Sequence, residues 1–161
     1  MAAAGLGLLA LAACARSSGP DNQVSVAKGI TGEVNMTTAA GECMSPEMRR
    51  PPAEIAPEQR RQIVACLNAA SVRQLSPQLP KQMDEFTRLD RLTTEGSTLT
   101  YHYTVLRQIS PELGPRIEAQ QRRVTCADAA ARRAVEFGGS FGFRWVDSQG
   151  ALVREMRIDA C

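Results

Sequence analysis

Between residues 98 and 105 the chain alternates without a fault: Leu99, Tyr101, Tyr103 and Val105 interleave with Thr98, Thr100, His102 and Thr104. A period of two is the signature of an extended strand, whose side chains leave to opposite faces in turn. One face here is aromatic and aliphatic and the other is hydroxylic. Such a strand needs an apolar layer on one side and tolerates water on the other. Upstream, Thr87 to Thr93 can form a strand, and Glu95-Gly96-Ser97 is a turn. The two strands predict a hairpin, with Gly96 supplying the turn. A second hairpin is predicted near the end of the chain. Phe141, Phe143 and Trp145 alternate with Gly142, Arg144 and Val146, Asp147-Ser148-Gln149-Gly150 turns, and Ala151 to Asp159 returns with Leu152, Met156 and Ile158 inward. Arg154 breaks that inward row, which predicts a bulge or a shifted register.

Helical periodicity fills the intervals. Ser45-Pro46-Glu47 reads as an N-cap and first turn of a short helix. Ala56-Pro57-Glu58 opens a better one, with Ile63, Val64, Leu67 and Ala70 on one stripe and Arg60, Arg61, Gln62 and Asn68 expected to face water. Pro77 and Pro80 close it. Ser110-Pro111-Glu112 starts another, with Leu113, Ile117 and Val124 inward and Gly114-Pro115 disturbing its first turn. Thr125, with Asp128 three residues on, resembles a capping box that restarts the helix. An Ala-rich turn then runs to Gly138-Gly139. The order helix, hairpin, helix, hairpin predicts an α+β domain over residues 42–161: a mainly antiparallel sheet of about four strands with helices packed on one face.

A chain of 161 residues has room for one modest domain. Its net charge is +2 and nearly all its cations are arginine, in pairs (Arg49-Arg50, Arg60-Arg61, Arg122-Arg123, Arg132-Arg133) interleaved with Glu, Asp and Gln. A nucleic-acid binder concentrates cations on one face to displace phosphate counterions. These read instead as solvated helix faces, so no nucleic-acid partner is expected.

Residues 1–13 contain no charge and consist largely of Ala, Leu and Gly before Cys14. The apolar stretch Leu6–Ala13 is far short of the ~20 residues a spanning helix needs, and suits the core of an export signal. Leu11-Ala12-Ala13-Cys14 resembles the lipobox of bacterial lipoproteins. That resemblance implies a diacylglycerol on Cys14, cleavage immediately before it, and a membrane partner through the lipid anchor. The segment opens without Lys or Arg, so either the true start lies upstream or the signal is weak. Ala15 follows the cysteine where enteric inner-membrane lipoproteins carry Asp, which implies the outer membrane of the envelope, facing the periplasm. Residues 14–41, rich in Ser, Gly, Pro, Asp and Asn at their start, read as a tether. Flexible chain of this length spans roughly 30 Å. Within it, Gln23 to Ala27 alternates and could pair as an edge strand.

Lipidation of Cys14 leaves Cys43, Cys66, Cys126 and Cys161, an even number that reads as two disulfides in an exported domain. Zinc would need a Cys-x-x-Cys pair or several histidines, and His102 is the only histidine. Three connectivities are possible, and locality favours Cys43–Cys66 with Cys126–Cys161. The residues from Leu79-Pro80 through Leu99-Thr100-Tyr101-His102-Tyr103, Cys126 and Asp147-Ser148-Gln149-Gly150 to Cys161 also resemble a group of short exported bacterial domains of unknown function. That resemblance implies an exported location and the late cysteine pair, and no activity.

Nothing in the sequence forms a catalytic motif. No Gly-x-Ser-x-Gly elbow fixes a nucleophile, Asp84-Glu85 beside Phe86 reads as exposed charge, and Gly138-Gly139 lacks the Gly-Lys-Ser/Thr ending of a phosphate loop. No cofactor and no metal site are expected. The first functional expectation is therefore a non-catalytic binding or accessory domain for a protein, peptide or glycan, with inhibitor or immunity proteins as a special case. Its contact surface would be the polar sheet face: Thr98, Thr100, His102, Thr104 and Arg144. The alternative is an envelope hydrolase with His102 as general base, which requires a hydroxyl nucleophile and a carboxylate within hydrogen-bond reach.

Overall fold

The computed structural model describes Cys43 and residues 50–107 and 113–161. The signal, the tether, the Pro46-Glu47 helix and the Ser110-Pro111-Glu112 start lie outside those residues. Helix α1 (Pro57–Leu75) begins on Pro57, whose missing N–H costs nothing in the first turn. Strands β1 (Lys81–Gln82), β2 (Thr87–Glu95) and β3 (Thr98–Val105) follow, then helices α2 (Leu113–Ala127) and α3 (Ala129–Glu136), then strands β4 (Ser140–Asp147) and β5 (Leu152–Ile158). The sheet has five strands in chain order, β1-β2-β3-β4-β5. One more strand is present than expected, because Lys81-Gln82 pairs with Leu89 and Arg88 over a length too short to show a period.

Both hairpins form. Gly96 turns β2 into β3 with φ +54°, the sign that a two-residue hairpin loop needs at its first position. At the other hairpin, Asp147 Oδ1 accepts from the backbone N–H of Gln149 and Ala151 at 2.9 and 2.8 Å. The hairpins meet along a parallel β3–β4 pair, Thr98 opposite Ser140 through Val105 opposite Asp147. A parallel pair requires a long crossover, and α2 and α3 provide it.

That pairing decides the core. It sets Tyr101 beside Phe143 and Tyr103 beside Trp145, with ring centroids 5.3 and 5.7 Å apart and planes nearly parallel. Leu75 of α1, Ile117 of α2 and Ala131 of α3 close over this ridge together with Leu89 and Ile158. A smaller cluster of Ile55, Ile63, Val64 and Phe137 joins α1 to the end of α3. Gly139 sits where these elements meet: a Cβ there would lie 2.7 Å from Val64 Cγ1 and 2.8 Å from the Ala134 carbonyl oxygen. Gly139→Ala should therefore lower stability by about 1–3 kcal/mol, read as a shifted denaturant midpoint at unchanged slope.

Three local expectations are corrected. Asn68 is buried, not water-facing, because it stands one turn after Val64 on the packed stripe, and its Nδ2 has no hydrogen-bond partner among the described residues. The restart cap is Asp128 rather than Thr125. Asp128 Oδ1 accepts from Ala131 N at 2.8 Å, while Thr125 is buried inside α2 against Gln121. The Ala-rich stretch after it is the restarted helix. Leu152, expected inward, is exposed instead, because the bulge sets it opposite Val146 on the other side of the sheet. The break at Arg154 is present: Trp145 pairs with Arg154 and Val146 with Leu152, leaving Val153 out of the ladder. Arg154 keeps its inward position and is neutralised there by Glu118 of α2, at 2.5 Å.

Both cysteine pairs are bonded. Cys43–Cys66 ties the incoming segment to α1, and Cys126–Cys161 ties the end of α2 to the last residue.

Candidate binding face of the sheet

Helices pack on one side of the sheet, and no described element covers the other. Alternation along β3 sends Thr98, Thr100, His102 and Thr104 to that open side, and the pairing registers extend each into a rung across the sheet. Glu95, Thr98 and Ser140 form the first rung. Thr93, Thr100, Gly142 and Arg157 form the second. Arg91, His102, Arg144 and Glu155 form the third, and Arg88, Thr104, Val146 and Leu152 the fourth.

Much of this polarity is internally satisfied. Thr98 and Ser140 share a hydroxyl contact at 2.9 Å, and Thr93 Oγ1 lies 2.8 Å from His102 Nε2. Arg144 donates to Glu155 at 3.0 Å. Register shifts between Leu89 and Arg91, and the intervening Asp90 accepts from Thr104 Oγ1 and Arg88 Nε, each at 2.5 Å. Thr104 is consequently buried, with its hydroxyl committed to Asp90, and offers nothing to a partner. Thr98, Thr100, His102 and Arg144 stay partly exposed. Arg91 and Arg157 have neither a hydrogen-bond nor an ion-pair partner among the described residues. The sequence reading missed both, although each alternates with a core residue, Leu92 or Ile158, and so shows its face by parity.

Burial, then Arg91 and Arg144, hold the His102 imidazole below its ordinary value, against smaller opposing effects of Glu155 and Asp90. The unfolded chain thus takes up this proton at higher pH than the folded one. The contribution to stability is complete above the unfolded value, about 6.5, and is lost as pH falls through the window beneath it. We expect acidification from about pH 7.5 to about pH 5.5 to lower Tm more in the wild type than in His102→Gln. Parallel melting curves for the two proteins would refute that assignment.

His102 does touch a hydroxyl, as a general base would. The two carboxylates that influence it are bound elsewhere, Asp90 to Thr104 and Arg88, and Glu155 to Arg144. Neither is hydrogen-bonded to the imidazole among the described residues, and the pair lies on the side of the sheet that no described element covers. Asp84 of the Asp84-Glu85 pair closes a turn, accepting from Phe86 N at 2.7 Å.

No family model matches the sequence, and no curated protein matches it. Solved structures match in fold. A protein from Pseudomonas aeruginosa described as secreted has a TM-score of 0.56 at 16% identity, over 63% of this chain and 93% of its own. The pilotin of the Vibrio vulnificus type 2 secretion system gives 0.55 at 14% identity, over 62% and 91%. A type II secretion system pilotin from Vibrio cholerae gives 0.52 at 17% identity, over 62% and 92%. At these identities the likeness is one of fold, and it spans nearly the whole of each matched chain.

Proposed function

We propose that this chain is an envelope lipoprotein, anchored through Cys14, whose α+β domain is a non-catalytic accessory module. On this reading it docks a protein component of a secretion-type assembly. The observation that carries the proposal is the fold, shared over nearly their full length with two type II secretion pilotins. The lipobox-like Leu11-Ala12-Ala13-Cys14 supports the anchor, and Ala15 supports the outer membrane. The open sheet face, with exposed polar side chains and two arginines unpaired among the described residues, is the surface we assign to the partner. A fold of this kind lends no activity by itself, so the assignment rests on what the face recovers.

Thr100→Trp places a bulky ring at the centre of the open face, and Ala119→Trp does the same on the exposed side of α2. From detergent-solubilised envelopes, wild type and Ala119→Trp should retain one secretion-assembly protein that Thr100→Trp loses. Equal recovery by all three, or recovery of no such protein, would overturn the proposal.

A further inference from the structure

We infer that the open sheet face receives a carboxylate-bearing protein segment, taken up along the rung Arg91, His102 and Arg144. The inference rests on the reading of that face as the docking surface and adds the chemistry of what docks there.

The three residues are direct cross-strand neighbours on β2, β3 and β4. Only one of the two arginines is neutralised, since Arg144 turns outward to Glu155 on β5. Arg91 is exposed and, among the described residues, unpaired. One rung away Arg157, also unpaired, stands beside Gly142, over which Thr100 leans: a Cβ on Gly142 would meet Thr100 Oγ1 at 2.7 Å.

The remaining charge on this face does not cancel the field at its centre. Asp90 is engaged by Arg88 and Thr104, and Glu95 sits at the hairpin end of the first rung. At His102 itself the effects of Arg91 and Arg144 exceed those of Glu155 and Asp90. With Arg88 and Arg144 matched by Asp90 and Glu155, Arg91 and Arg157 leave an excess of positive charge at the middle of the face. The helical layer also carries arginines, but several are spent on backbone carbonyls: Arg122 on Ala160, Arg132 on Cys126 and Arg133 on Arg50. Arg91 and Arg157 perform no such duty.

The geometry selects separated carboxylates over a single compact anion. The β2 and β4 backbones lie roughly 10 Å apart, two strand spacings, and Arg144 points away from Arg91 toward β5. The two guanidinium groups do not converge on one point, whereas acidic side chains spaced along a peptide can meet each in turn.

The test uses the full-length chain carrying Cys14→Ser, labelled for NMR, and an alternating Glu-Gly peptide of about ten residues, with its Lys-Gly counterpart as control. The acidic peptide should shift the signals of Arg91, His102 and Arg144 and move the His102 titration upward. Added salt should weaken binding, and Arg91→Glu should weaken it about tenfold. The inference is overturned if the acidic peptide shifts Arg116, Arg122 and Arg123 of α2 instead, if both peptides act alike, or if neither acts. Failure here with Thr100→Trp still losing the envelope partner would leave the docking surface standing and refute only the partner's acidity. Failure of both would remove the surface itself.

Discussion

Cys161→Ser should lower the melting temperature by roughly 15–20 °C, the stability change being large for a domain of about 120 residues. Cys161 is the last residue, and its bridge to Cys126 spans 35 residues of sequence. Chain-entropy estimates for closing such a loop give about 3–4 kcal/mol, a large share of the ~5–15 kcal/mol typical of a folded domain. The bridge also holds β5, an edge strand bonded only to β4. Edge strands fray first, and Cys126 lies at the close of α2, which packs near β5. Arg122 supports the same junction by donating to the Ala160 carbonyl at 2.9 Å. Without the bridge, Ile158, fully buried beneath the helices, is held by packing, by its pairing with Phe141 and by the Arg122 contact. The variant should also leave Cys126 titratable under denaturing conditions. A melting temperature within a few degrees of wild type would show that packing rather than the crosslink holds the edge.

Cys14→Ser should abolish membrane partitioning altogether. The variant lacks the thiol to which the proposed anchor would be joined, so the precursor should stay unprocessed and the domain should leave the detergent phase. The size of the effect follows from the chemistry of the anchor. Each buried methylene contributes about 0.8 kcal/mol, one acyl chain binds only marginally, and two or three bind firmly. Labelled fatty acid should enter the wild-type protein and not the variant. Wild-type protein that takes up no label would remove the anchor from this account while leaving the fold untouched.

The reach of sequence reasoning followed the strength of each periodic signal. Leu99 to Val105 and Phe141 to Trp145 alternate without interruption, and both become strands with those residues in the core. Arg154 was legible as a fault in the β5 pattern, yet its remedy was not, because Glu118 lies 36 residues away and meets it only through the packing of α2 on β5. The parallel pairing of β3 with β4 was equally hidden: two hairpins in sequence do not reveal which strands face each other. The polarity of Asn68 predicts exposure, whereas its spacing from Val64 puts it on the buried stripe. At the candidate face, parity along β3 identified Thr98, Thr100 and His102, but the bulge at Asp90 that buries Thr104 has no local signature. Arg91 and Arg157 are charged residues among many, and only the register shows that they flank the same central strand.

The central claim, an anchored accessory domain that docks through its open face, is tested most directly by photo-crosslinking in living cells. A benzoylphenylalanine replacing Thr100 in the lipidated protein should give a crosslink to one envelope protein of a secretion-type assembly, and the same probe replacing Ala119 on α2 should give none. A crosslink at position 119 with silence at position 100 would contradict the account.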